Sequence, residues 1–168
     1  GNNDDQNRSV FRYNEAAGIT SLDPAFARNQ ANIWACNQIF NGLVQLNDKL
    51  QVEPCIAKSW QISDSGLVYT FFLRDDVFFH DHALFENTRE RRVTANDFVY
   101  SFNRLSNPET ASPGAWVFNK VTHEGARLSF TAINDTIFKI KLKSPFPPFL
   151  SLLSMHYCSV IPSKIVEH

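Results

Sequence analysis

The stretch W-Q-I-S-D-S-G-L-V-Y-T-F-F-L-R-D-D-V-F-F-H-D at 60–81 decides the fold, together with V-T-A-N-D-F-V-Y-S-F-N-R at 93–104, which follows a polar insert. Asp64-Ser65-Gly66 sets turn formers between two runs of β-branched and aromatic residues, which is a hairpin signal. From Val68 to Leu73 the pattern alternates, with Tyr69, Phe71 and Leu73 on one face and Val68, Thr70 and Phe72 on the other. Thr94 starts a helix. Its hydroxyl is placed to cap the amide of Asp97, and Val93 and Phe98 occupy the two positions of a hydrophobic staple. Phe98, Phe102 and Leu105 then recur at i, i+4 and i+7, one helical face. None of this is catalytic vocabulary; it is scaffold.

Outward from that core the elements are shorter. Residues 10–13 read as a strand and 15–20 as a loop containing Gly18. Leu22-Asp23-Pro24 turns the chain into a helix over 28–40, in which Ile33, Cys36, Ile39 and Phe40 keep helical spacing and Gly42 acts as the stop. Strands are expected at 43–46, 60–63, 67–74 and 77–79. The Thr94 helix ends before Pro108, and N-P-E-T-A-S-P-G at 107–114 is a loop by composition. Strands at 128–132 and 136–143 make a second hairpin around Asn134-Asp135, with Phe138, Ile140 and Leu142 on one side. Pro147-Pro148 fits the first turn of a short helix running to Leu153, where missing amides do no harm. The order predicts an α+β fold, its sheet mostly antiparallel because the connections are short hairpins, with helices packed on it. No internal repeat, low-complexity tract or flexible linker interrupts it.

With 168 residues the chain can bury a real core. Its 16 basic and 17 acidic side chains nearly balance, with a formal net charge of −1, which gives no electrostatic reason to seek nucleic acid or anionic lipid. The 15 phenylalanines suit a sheet packed on helices. No apolar run reaches the length of a membrane span. Cys36, Cys55 and Cys158 are odd in number and lack C-x-x-C spacing, so buried free thiols are expected, with a Cys36–Cys55 bridge as the alternative in an exported protein.

Sites of chemistry are sparse. His80-Asp81-His82 puts two imidazoles on one strand face, but no third ligand lies at a useful spacing, and no metal or other cofactor is expected. Asp75-Asp76 beside Asp81 reads as a solvated turn rather than an acid/base pair. The run Arg89-Glu90-Arg91-Arg92 reads as a solvated loop. No serine stands in G-x-S-x-G, and phosphate-binding glycine patterns are absent, so an enzyme is not expected. Trp34, Trp60 and Trp116 are read as core or near-core aromatics, with Trp116 set apart because it follows a Pro/Gly-rich loop.

The chain resembles the large solute-binding proteins of ABC importers, the extracellular family 5 type that takes up oligopeptides, dipeptides and nickel chelates. Trp60, Gly66, Tyr69-Thr70-Phe71, Leu73-Arg74, Val77, Phe79-His80-Asp81, Val93-Thr94-Ala95, Asp97-Phe98-Val99-Tyr100-Ser101 and Arg104 carry the likeness. Ser21-Leu22-Asp23-Pro24, Asn41-Gly42-Leu43, Ala57-Lys58-Ser59, Pro145-Phe146-Pro147-Pro148-Phe149-Leu150 and Val160-Ile161-Pro162 extend it. His82 departs from the glycine usual after F-H-D, and the insert at 83–92 lengthens the path to the helix. Family members are several times longer, so the chain reads as an N-terminal portion.

The resemblance implies a mostly antiparallel α+β part of a two-lobed, cluster C periplasmic-binding-protein-like fold. Residues 1–42 would belong to the larger ligand-binding lobe and 43–168 to a compact second domain of it. It implies capture of a peptide, oligopeptide or dipeptide, outside the cytoplasmic membrane and delivery to ABC transporter permease subunits. A nickel chelate, haem or oligosaccharide on the same scaffold, or a non-ligand-binding interaction domain, is the alternative. Glu15, Ala17, Gly18, Ile19 and Trp116 are the expected ligand-facing residues, with Gly18 letting backbone approach a ligand closely. The expected location is periplasmic or cell-surface. The polar leader at 1–7 is also of the kind that follows a lipoprotein's lipidated cysteine, which would be the one route to the membrane.

Overall fold

The computed structural model describes residues 18–167. The strand expected at 10–13, and the candidate residues Glu15 and Ala17, lie outside that range. A 3-10 turn (Pro24–Phe26) leads into α1 (Gln30–Ile39), followed by β1 (Val44–Leu46), β2 (Val52–Pro54), β3 (Ala57–Ser63) and β4 (Val68–Leu73). Then come α2 (Ala95–Ser106), β5 (His123–Glu124), β6 (Arg127–Leu128), β7 (Phe130–Asn134), β8 (Ile137–Lys141), α3 (Phe149–Leu153) and α4 (Ser163–Val166). The main sheet has four strands in the order β3-β4-β8-β7, and every pairing in it is antiparallel. Two short hairpins, β1-β2 and β5-β6, stand apart from it.

The hairpin read from Asp64-Ser65-Gly66 joins β3 to β4, with Ser63 opposite Val68. Its tip is left-handed at three successive residues, with φ of 54° at Asp64, 55° at Ser65 and 91° at Gly66. Register then aligns the apolar faces across the sheet. Trp60 lies opposite Phe71, Phe71 opposite Phe138, and Phe138 opposite Ala132. Tyr69 lies opposite Ile140, which in turn faces Phe130. One face therefore carries an unbroken aromatic and aliphatic layer.

Helix α2 covers that layer. Phe98, Phe102 and Leu105 are buried, and the rings of Phe98 and Phe102 reach β8 and β7 rather than β4. Phe98 sits 5.8 Å from Phe138, and Phe102 sits 5.6 Å from Phe138 and 5.5 Å from Phe130. Phe71 joins the cluster through Phe138, at 6.3 Å. At the helix start Thr94 and Asp97 form a capping box. One Asp97 carboxylate oxygen accepts from both the amide and the hydroxyl of Thr94, each at 2.8 Å. Burial raises the Asp97 carboxyl above its ordinary value, against the lowering effect of those bonds. α3 closes the other end, where Phe149 meets the Tyr69 ring edge-on at 5.2 Å.

Several expectations are corrected. Residues 77–79 do not form a strand of the sheet. Phe78 makes a single bridge to Arg92, flanked by bonds from Phe79 to Arg91 and from Val93 to Val77. The insert folds back on itself, with Phe85 stacked on Phe79 at 6.4 Å, so 77–79 finds its partner locally. Gly42 is not a left-handed stop, since α1 ends with Phe40 extended at φ −119°. Gly42 instead gives room, because a Cβ there would stand 3.1 Å from the Cys158 carbonyl oxygen. Trp60 is half-buried against the core, as expected of a near-core aromatic, whereas Trp34 and Trp116 are both 47% exposed and lie outside it. Cys36, Cys55 and Cys158 are free thiols, which leaves no Cys36–Cys55 bridge.

Gly114, in the loop read from composition, is buried, and a Cβ there would overlap Cγ, Cδ1 and Cβ of Tyr157. These atoms sit at the base of the ring and cannot swing aside. Gly114→Ala is expected to lower stability by about 1–3 kcal/mol through overpacking. Urea denaturation measures it; an unchanged midpoint would mean that the loop and Tyr157 separate freely.

Candidate functional site

Gly18 and Ile19 begin the described chain on an exposed loop. Gly18 has φ 72°, a left-handed conformation that costs a glycine nothing, and among the described residues no atom would contact a Cβ there within 4 Å. The requirement for glycine is thus conformational rather than one of space among the described residues. Ile19 and Trp116 are each 47% exposed. Trp116 lies on a 3-10 turn (Ala115–Phe118) whose neighbours Val117 and Phe118 are buried, so the turn is anchored while the indole faces outward.

What holds the first segment is a set of polar contacts that composition did not single out. Thr20 is tied to Asn32 of α1 by two hydrogen bonds, of 3.0 and 2.9 Å. Asp23 caps the following 3-10 turn by accepting from the Ala25 amide at 3.0 Å. The same carboxylate meets the Arg104 guanidinium in a two-pronged pair of 3.1 and 2.6 Å. Arg104 also lies over the Phe26 ring, 5.9 Å from its centroid. The Ser112 hydroxyl donates to the Ala25 carbonyl at 2.5 Å and accepts from the Gly114 amide at 3.0 Å. His156 completes the row through Nε2, 2.8 Å from the Ala27 carbonyl.

Asp23 and Arg104 belong to two of the motifs in the sequence likeness. Their meeting gives those motifs a shared physical reason: the helix that covers the sheet also grips the segment that leads to α1. Ser101 of the same helix reaches the C-terminal stretch, accepting from the Ile161 amide at 3.0 Å while donating to the Asp97 carbonyl at 2.7 Å. Sequence alone marked these positions but not their partners.

His156 is buried beside Ala27 and Tyr157, and burial pushes its imidazole below the ordinary value, opposed by the bond to Ala27. Because the Ala27 carbonyl can only accept, Nε2 carries the proton of the neutral ring. A group with a depressed folded pKa contributes stability that is complete above its unfolded value near 6.5 and is lost as pH falls through the folded value. Between pH 7.5 and 5.5 the denaturation midpoint is therefore expected to fall. His156→Gln, which keeps a donor for Ala27 but does not titrate, should flatten that dependence; an equally steep profile would assign it to other groups.

Burial also raises the thiol of Cys158 far above its ordinary range, and raises those of Cys36 and Cys55. All three are poor nucleophiles. Cys36 donates to the Leu22 carbonyl at 3.6 Å, one more tie on the first segment.

His80, Asp81 and His82 are all exposed. His82 Nδ1 accepts from the Leu84 amide at 3.3 Å, and Asp81 stands 3.7 Å from Arg91. Among the described residues no three His, Cys, Asp or Glu side chains gather as a metal site. No described helix is long and apolar enough to cross a membrane. Among the described residues, two concavities stand out. One, of about 520 Å³, is lined by Leu22, Phe40, Phe78, Val93, Ile161 and Ile165 among others. The other, of about 1050 Å³, runs along α2 past Tyr100, Asn103, Arg104 and Arg127. Neither is lined by Gly18, Ile19 or Trp116.

Comparison with known proteins is consistent across sequence and structure. The chain is 35% identical over 145 residues to the periplasmic murein peptide-binding protein MppA of Escherichia coli, covering 79% of this chain and 25% of that protein. It is 31% identical over 166 residues to heme-binding protein A of Haemophilus influenzae, covering 95% of this chain and 30% of the relative. In three dimensions it matches the ABC transporter-associated periplasmic binding protein DppA from Helicobacter pylori in complex with peptide STSA. That match has a TM-score of 0.73 and 29% identity, covering 89% of this chain and 30% of the other. The chain thus spans about a quarter to three tenths of the length of these relatives. Its antiparallel α+β architecture is that of the cluster C periplasmic binding proteins. Residues 51–166 match the middle-region model of the bacterial extracellular solute-binding proteins, family 5, and the chain belongs to that family.

Proposed function

We propose that this chain is part of the substrate-binding component of an ABC importer, one that captures peptides outside the cytoplasmic membrane and delivers them to a permease. The observation that carries the reading is the 35% identity to a murein peptide-binding protein across 79% of the chain. The structural likeness to a relative in complex with the peptide STSA supports it. Residues 1–42 serve the larger ligand-binding lobe, and 43–168 form its second domain. Gly18, Ile19 and Trp116, with Glu15 and Ala17, face the ligand. Peptide main chain is recognised by backbone groups, while open, wet surroundings tolerate varied side chains.

Haem is the second reading, favoured by the 31% identity to heme-binding protein A over 95% of the chain. A common scaffold does not fix the ligand. Thermal shift of the full-length receptor with separate pools decides between them: short peptides including STSA, haem, a nickel–histidine chelate, and oligosaccharides. A ligand at a hundred times its Kd stabilises the folded state by about 2.7 kcal/mol. A rise in Tm with peptides alone is the expected result. A rise with haem, chelate or sugar and none with peptides would overturn the peptide reading.

A further inference from the structure

Asn32 is one of few polar side chains buried in this structure, at 4% exposure. Ala31, Ala35 and Cys36 are buried around it on α1, surroundings in which an apolar residue would pack as well. A buried amide that makes no hydrogen bonds is costly, so its presence calls for a partner. Both ends of the Asn32 amide are spent on one residue, Thr20. Oδ1 accepts from the Thr20 backbone amide at 3.0 Å, and Nδ2 donates to the Thr20 hydroxyl oxygen at 2.9 Å. The side chain is not needed to start its own helix. That task falls to Asn29, whose Oδ1 accepts from the Asn32 backbone amide at 2.8 Å.

Among the described residues, Asn32 is the one that hydrogen-bonds Thr20. Gly18, Ile19 and Thr20 are all exposed, so packing does not fix them, and Gly18 adds the backbone freedom of a left-handed glycine. A loop of that kind pays an entropy cost each time it orders around a ligand. Anchoring it beforehand removes part of that cost.

We propose that Asn32 is the positioning residue of the Gly18–Thr20 loop, holding Thr20 through both its backbone and its hydroxyl so that Gly18 and Ile19 meet a peptide already ordered. This rests on the peptide-receptor reading. Asn32 touches no ligand; it acts through Thr20.

The test uses the full-length receptor, with STSA as the probe in calorimetry and hydrogen exchange read on the amides of residues 19–22. Asn32→Leu removes both bonds at similar volume. Thr20→Val, at an exposed position, removes the hydroxyl alone and guards against a folding failure of the first variant. Asn32→Leu is expected to weaken STSA binding on the order of tenfold, the equivalent of one or two hydrogen bonds. Thr20→Val should weaken it less, and the double variant no more than Asn32→Leu alone, because the two act as one unit. Exchange at 19–22 should quicken in Asn32→Leu while the amides of α2 keep their protection. Ser101→Ala, which lowers stability elsewhere, should leave STSA affinity unchanged. Parent-like affinity in Asn32→Leu at a temperature where it is folded would overturn the proposal, as would unchanged exchange at 19–22. If the parent binds no peptide at all, the peptide reading fails by itself, and the exchange arm still decides whether Asn32 holds the loop.

Discussion

Phe102→Ala is expected to lower the free energy of unfolding by about 3–5 kcal/mol, the range for truncating a fully buried aromatic ring. Phe102 has no exposed surface. Its ring lies 4.7 Å from Phe118, 5.5 Å from Phe130, 5.6 Å from Phe138 and 5.8 Å from Phe98. These four rings come from α2, the 3-10 turn after it, β7 and β8, so the cavity would open where four elements meet. None of them can close it without giving up its own pairing. Phe72, half-buried on the other face of β4, is the matched control and should lose much less on truncation. Urea denaturation of both variants beside the parent measures this. Equal losses at the two positions would mean that the sheet is not covered on one face as described.

That contrast shows how far the sequence could be read. Alternation over 68–73 and helical spacing at Phe98, Phe102 and Leu105 placed the right side chains on the right faces, because periodicity is a local property of each element. Which strand the helix lies over is not local. The rings of α2 meet Phe130 and Phe138, because the hairpin around Asn134-Asp135 inserts β8 beside β4. The strand expected at 43–46 is present as β1, but its partner β2 and the hairpin β5-β6 escaped notice because strands of two or three residues carry too little pattern. Gly114 escaped for a different reason: its φ is ordinary, and only the approach of Tyr157 excludes a side chain. In the candidate site, Gly18 was legible as a loop glycine, and its left-handed φ of 72° fits that reading. The amide of Asn32 was not, since nothing in one sequence says that position 32 faces position 20.

The second large effect is expected at Asp23. Asp23→Ala should cost about 2–4 kcal/mol, for two separable reasons. One is the lost cap on the Ala25 amide, worth about 1 kcal/mol. The other is the stranding of Arg104, whose side chain is only 19% exposed and loses both prongs of its partner. Removing one member of a largely desolvated pair costs more than the pair contributes, because the remaining charge keeps its desolvation penalty. Asp23→Asn separates the two terms, since the amide oxygen still caps Ala25 but no longer balances the guanidinium. In the Arg104→Leu background, Asp23→Ala should cost little beyond the cap. If it costs the same in both backgrounds, the two residues do not act on each other. The pair joins residues 81 apart in sequence, and it acts beside Ser112 on Ala25 and His156 on Ala27. Its loss should therefore loosen 20–27 while leaving the sheet intact. Faster hydrogen exchange along 20–27, with β4 and β8 still protected, is the pattern expected of Asp23→Ala. Equal loss across the sheet would make the pair part of the core rather than a clamp on the first segment.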